Sequence, residues 1–149
     1  MKEIKFGILA ATLAISLAAC SSGLGANSGE EVDTRPLIAT TVSPITSIAA
    51  SIAGDRARVE GIVPEGTNSH TFEPSPQIAK LLSNADLILV NGLKLEDPTI
   101  ELAQNNKKSD TQIVEIGTLV LPEPDYIYDF SFPKEEGKPN PHLWTDPNY

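Results

Sequence analysis

The chain has 149 residues, enough for one compact domain, and carries eleven Lys plus Arg against twenty Asp plus Glu, a formal net charge of -9. An acidic surface repels nucleic-acid phosphates and gains nothing from an anionic lipid leaflet, so both drop out as electrostatic partners. The charge is compatible with attraction of cations, and ordinary solubility accounts for it equally well.

Residues 1–19 place Lys2 and Lys5 ahead of an apolar run from Ile8 to Ala19 that ends in small residues. That is the composition of a secretory signal peptide. The run is too short for a membrane span, which needs about 20 apolar residues. The only cysteine, Cys20, follows Leu17, Ala18 and Ala19 directly, and a lone cysteine builds no disulfide framework. The tetrad LAAC resembles a bacterial lipobox, which makes Cys20 the expected lipidation site and new amino terminus. More than one acyl chain there would anchor the protein firmly, at about 0.8 kcal/mol per buried CH₂. Residues 20–36, beginning CSSGLGANSGEEVDT, then read as a lipidated flexible tether with a coil span of roughly 20 Å.

From Leu37 onward the pattern is regular. LIATTV (37–42) is short and β-branched, as a buried strand is. Ser43 offers an N-cap and Pro44 the first helical position. Ile45, Ile48, Ala49 and Ile52 fall on one helical face, and Gly54 closes the helix. ARVEGIV (57–63) reads as a second strand. Ser75 and Pro76 start a helix with Ile78, Leu81, Leu82 and Ala85 on its apolar face, DLILVN (86–91) is a third strand, Asp97 and Pro98 open a third helix, and TQIVEI (111–116) is a fourth strand. Strands alternating with helices predict an α/β fold: a parallel, Rossmann-like four-stranded sheet with helices on both faces. Beyond Gly117 the period stops, and residues 118–141, rich in Pro and acids, read as a long loop.

Two histidines occur, His70 and His142, both in proline-flanked loops. His70 lies in PEGTNSHTFEPSP (64–76), between a strand and a helix, which puts it at the carboxyl edge of a parallel sheet, where open α/β sheets bind ligands. His142 lies in NPHLWTDP (140–147), after the fourth strand. Two imidazoles from separate loops can converge on one ion. On residue type and placement alone, each is equally an ordinary loop histidine bonded to water or backbone. Glu73 and Asp146 stand three and four residues from these histidines and are candidates for ligation or imidazole orientation, but Glu-Pro and Asp-Pro pairs also suit helix starts and turns, and structural roles are expected of both. Trp144, the only tryptophan, is assigned to the core rather than to a wall of the site.

The segment VSPITSIAASIAGDRARVEGIVPEGTNSHTFEPSP, the following NADLILVNGLKLE, and NPHLWTDP resemble, in this order, the amino-terminal lobe of the metal-binding ABC-transporter solute-binding lipoproteins (cluster A-I), over nearly all of Leu37–Tyr149. The resemblance implies a lobe of a two-lobed protein over residues 37–149, with His70 and His142 as metal ligands. It further implies two ligands from a carboxy-terminal lobe that this chain lacks, so that a fragment or truncated product is expected. It implies capture of Zn²⁺ or Mn²⁺ on the extracytoplasmic face of the bacterial cell membrane by a lipid-anchored monomer, delivery to an ABC permease, and no enzymatic activity. Many zinc-specific members carry a histidine-rich insert before the second motif. The corresponding loop here, 121–141, has no histidine, which leaves the two metals balanced. Two other readings compete. One is a lipid-anchored adhesion or scaffolding module on the same fold. The other is a secreted zinc hydrolase, disfavoured because no HExxH spacing and no third protein ligand is in view. No GxxxxGK[ST] phosphate loop occurs, which removes support for nucleotide binding.

Overall fold

A computed structural model describes residues 33–149, and the expected signal peptide, Cys20 and most of the tether lie outside them. Four strands form, β1 (Leu37–Thr40), β2 (Arg58–Gly61), β3 (Leu87–Val90) and β4 (Gln112–Glu115), all parallel and in the order β2-β1-β3-β4. Each is connected through a helix: α1 (Ser43–Ala53), α2 (Pro76–Asn84) and α3 (Asp97–Asn106), as the alternating pattern predicts. The chain moves outward from β1 to β2 and then crosses back to β3. Crossovers of one hand therefore place α1 on one face and α2 with α3 on the other.

The two faces are unequal. Successive strand residues point to opposite sides, and the α2/α3 side takes Ala39, Ile88 and Val90, all fully buried, together with Leu82 and Ala85 of the α2 segment and Ala103 of α3. Ile78 and Leu81 pack on the edge of this cluster, so the apolar face read for α2 is the one that is buried. On the other side a smaller cluster joins Val42, Ile45 and Leu95 with half-buried Leu89, Ile116 and Trp144.

Three expectations need correction. In α1 the buried residues are Ile45, Ala49 and Ala53, four apart, whereas Ile48 and Ile52 are 50% and 70% exposed. The apolar stripe is wider than the strip of sheet beneath it. Ser43 lies inside the helix, Val42 is the N-cap, and no side chain caps it. A short helix, α4 (Ile116–Val120), takes the last residue read as strand and the first three read as a long loop, and that loop holds 3₁₀ turns at Glu123–Asp125 and Lys134–Glu136. Five residues are too few to show a helical period. Position 117 admits only Gly, since a Cβ there would stand 2.8 Å from the Asn91 carbonyl, which the Gly117 N–H reaches at 2.8 Å.

The ends of β1 and β3 are joined by a buried acid. Glu96, 3% exposed, accepts from the Thr41 hydroxyl at 2.5 Å, the Asn91 N–H at 2.6 Å and the Gly92 N–H at 3.2 Å. Burial pushes its carboxyl above the usual range, and the three donors pull it back. No helix among the described residues is long and apolar enough to cross a membrane.

Candidate metal site

Both histidines stand at the carboxyl edge of the sheet, on the loops after β2 and β4. The first loop is braced locally. Thr67 N–H closes a turn onto the Pro64 carbonyl at 3.0 Å, with Gly66 at φ +78°, and the Asn68 side chain accepts the His70 N–H at 3.0 Å to start a 3₁₀ turn, Ser69–Thr71. Phe72 pins the loop to the main core. The result is an exposed His70 ring on a fixed backbone.

The second loop is braced by its own polar side chains. Asn140 Oδ1 accepts the His142 backbone N–H at 3.0 Å and faces His142 Nδ1 at 2.8 Å, while Asn140 Nδ2 donates to Asp129 Oδ2 at 2.7 Å. That last bond settles which way the amide points, so Oδ1 is the atom presented to the ring. An acceptor at Nδ1 requires a proton there, which leaves the Nε2 lone pair free. Asp129 is fixed in turn by the Ser131 and Phe132 N–H groups at 2.8 and 3.1 Å. The Asn140 side chain and then these N–H groups hold the Asp129 carboxyl below the usual carboxylate range. Burial, followed by the nearby His70, pushes the His142 imidazole below its ordinary value, against the pull of Asp129.

The two Nε2 atoms lie 3.3 Å apart although 72 residues separate them in sequence. Ligand nitrogens about 2.0–2.1 Å from a tetrahedral zinc ion stand about 3.3–3.4 Å from each other, so the spacing fits one shared ion. Without an ion, the His70 Nε2–H can donate into the His142 lone pair, and a cation would replace that proton. Phe132 covers one side, its ring centroid 5.8 Å from His70 and 5.4 Å from His142, and Trp144 meets His142 edge-on at 5.2 Å. Trp144 thus serves the small core cluster and the site together. A cleft of 210 Å³ opens beside His70, walled by Phe132 and Lys94 among others. A larger cleft of 370 Å³ touches neither histidine.

Glu73 and Asp146 do not join the pair. Glu73 is exposed, and the Asp146 carboxylate accepts both the backbone and side-chain N–H groups of Asn148 in a local turn. Among the described residues no group of three His, Cys, Asp or Glu side chains is placed to hold a metal. Asn140, Asp129 and Phe132 were not foreseen. The two-residue spacing of Asn140 from His142 was the one available signal, because such an Asn side chain readily folds onto the N–H two residues on.

An α/β lobe with two imidazoles paired at its carboxyl edge has the means to hold a metal ion, and the comparisons give its family. The chain belongs to the family described as zinc-uptake complex component A, periplasmic (ZnuA), which it matches over residues 38–149. It is 34% identical over 153 residues to a manganese ABC transporter substrate-binding lipoprotein of Streptococcus gordonii, covering 98% of this chain and 46% of that one. Against an iron ABC transporter substrate-binding lipoprotein of Streptococcus pyogenes serotype M1 it is also 34% identical, covering 93% and 44%. Among solved structures, the periplasmic zinc-binding protein TroA of Treponema pallidum superposes with a TM-score of 0.64 at 28% identity, over 75% of this chain and 38% of that one. A manganese-bound periplasmic metal-binding protein of Candidatus Liberibacter asiaticus gives 0.62 at 30% identity, over 75% and 39%. The chain spans less than half the length of the relatives it matches.

Proposed function

We propose that residues 37–149 form the amino-terminal lobe of an extracytoplasmic solute-binding lipoprotein that captures Zn²⁺ or Mn²⁺ between His70 and His142 and delivers it to an ABC permease. Residues 1–19 are its signal peptide, 20–36 its tether, and Cys20 its point of lipidation. It acts as a monomeric carrier, not an enzyme. The observation that carries the reading is the approach of the two Nε2 atoms to 3.3 Å from loops on different strands.

His142 is presented in the state a metal needs, and the Nε2 proton of His70 would be displaced by the ion. His142 has its proton directed to Nδ1, and its lowered affinity for a second proton favours the neutral, ligating form. Two imidazoles fill half of a four-coordinate shell, and the relatives are about twice as long as this chain. Further ligands from such additional length would close the site. Their type decides the metal, since imidazole suits zinc and carboxylate suits manganese.

The test is a zinc titration of the chain, followed by calorimetry and by the imidazole ¹⁵N signals, which two histidines make assignable. Zinc should bind weakly and move both rings, and His70→Ala and His142→Ala should each abolish the specific heat. The reading fails if both variants bind zinc like the parent.

A further inference from the structure

The loop after β3 is bent in a way its residues resist. Gly92, Leu93 and Lys94 have φ of +77°, +56° and +61°, three consecutive left-handed residues of which two carry a Cβ. Such residues persist only where surrounding structure imposes them, and the inference runs from the strain to a role. At the start of the bend Glu96 takes the N–H groups of Asn91 and Gly92 and, across the sheet, the Thr41 hydroxyl.

The bend in turn holds the segment that carries His142 at three points. Asn91 Nδ2 donates to the Pro141 carbonyl at 3.1 Å, one residue before His142. Lys94 Nζ donates to the Gly137 carbonyl at 3.0 Å. Leu93 packs with Leu143, one residue after it, and with Leu121. No comparable tie runs from this bend to the His70 backbone, which is held by Asn68 and Phe72.

We infer that Asn91 and Glu96, which touch neither imidazole, are positioning residues of the metal pair: Glu96 holds the left-handed bend, and through Asn91 the bend sets where His142 stands relative to His70. This rests on the His70–His142 reading, and the experiment separates the two. A ligand pair tolerates little displacement, and loss of an outer partner of a metal-bound histidine typically weakens affinity 10–100-fold. Asn91 acts on the backbone beside the ligand, so the lower end applies.

The experiment uses the whole chain, zinc alone as probe, and the ¹⁵N signals of both rings with and without zinc. Asn91→Ala should shift the His142 ring signals in the metal-free chain, leave those of His70 in place, and weaken zinc binding about tenfold. Glu96→Leu, which keeps the bulk and loses the acceptor, should do the same. Glu96→Gln keeps an oxygen for Thr41 and Asn91 but turns its NH₂ toward the Gly92 N–H, and should bind zinc more tightly than Glu96→Leu and more weakly than the parent, the partial rescue expected when hydrogen bonding and not charge is what matters. Ile88→Val, a core change on the α2/α3 side of β3 that removes none of these hydrogen bonds, should leave zinc affinity unchanged. If Glu96→Leu does not fold, Asn91→Ala decides alone. Unmoved His142 signals together with parental zinc affinity in Asn91→Ala overturn the inference, as does an equal loss of affinity in Ile88→Val. Zinc that moves neither ring of the parent overturns the reading of the pair instead, and the metal-free His142 signals still report whether Asn91 positions that ring.

Discussion

Replacing Asn140 by Ala tests how the chain presents a free nitrogen lone pair. The substitution removes the acceptor of the His142 N–H at 3.0 Å, the partner of Nδ1 at 2.8 Å, and the donor to Asp129 at 2.7 Å, while the Asn140 backbone N–H keeps its bond to the Ile127 carbonyl. The three lost bonds lie at a partly exposed site where water replaces much of them. At about 0.5–1.5 kcal/mol for a typical net bond, reduced by that replacement, the expected loss of stability is about 1–2 kcal/mol in total. The effect on metal is larger in proportion. The acceptor that holds the proton on Nδ1 is then gone and the His70–His142 contact is free to reverse its donor, since a neutral imidazole free to choose favours Nε2–H, which puts the proton where the ion would bind. Affinity for zinc should fall about 10–100-fold, equivalent to about 1.4–2.7 kcal/mol. Calorimetric zinc titration at pH 7.5 measures the loss, and long-range ¹H–¹⁵N correlations of the metal-free chain report the tautomer. The reasoning is refuted if Asn140→Ala keeps its proton on Nδ1, or if it switches tautomer and still binds zinc as the parent does.

Leu82 is fully buried in the main cluster, so Leu82→Ala should cost about 2–5 kcal/mol by chemical denaturation while leaving zinc affinity of the remaining folded protein unchanged, because no residue of α2 reaches the pair. The imidazole of His142 has a lower pKa folded than unfolded, so its contribution to stability is fully present above the unfolded value of about 6.5 and declines as pH falls from there through the folded pKa. An NMR titration of the metal-free chain should accordingly give His142 a midpoint below about 6.5, and a midpoint above it would contradict the packing described for this ring. Cys20→Ser should release the protein from membranes or leave its signal uncleaved; a variant that is processed and still membrane-bound would sink the lipidation proposal.

The fold was legible where chemistry acts locally. β-Branched tetrads, Pro at helix starts and Gly54 at a helix end with φ +53° each obey a rule that spans only a few residues. The histidines were legible by type and by their position after strands. What stayed hidden depends on contacts between distant segments. Asp129 and Phe132 sit in a stretch with no period, and only its folding back over the sheet edge brings a carboxylate to Asn140 and a ring to both histidines. Glu96 stands beside Asp97 and Pro98 and reads as one more acid at a helix start, yet its carboxylate crosses to a hydroxyl 55 residues away. Ile48 and Ile52 show the opposite failure, since a helical period reports which residues share a face but not how much of that face the sheet covers.

The placement of Glu96 bears on what the site can accept. The order β2-β1-β3-β4 puts the switch point between β1 and β3, the crevice where open α/β sheets ordinarily admit a ligand. Here Thr41 and Asn91, the residues that follow those two strands, are both occupied by the Glu96 carboxylate, so that crevice is closed by the protein itself. The histidines come from the loops after the outer strands, β2 and β4, and meet toward solvent. An organic ligand needs a cavity of several hundred cubic ångströms with apolar walls. A bare ion needs only a few donor atoms at fixed separation. A sheet edge whose crevice is filled by a hydrogen-bonded acid, and whose flanking loops hold two nitrogens 3.3 Å apart, is suited to the second kind of cargo. On the proposed reading, in which His70 and His142 supply half of the shell and His70 remains exposed, an ion held with the help of further ligands would be released when those ligands withdraw, as a carrier that must give up its cargo requires.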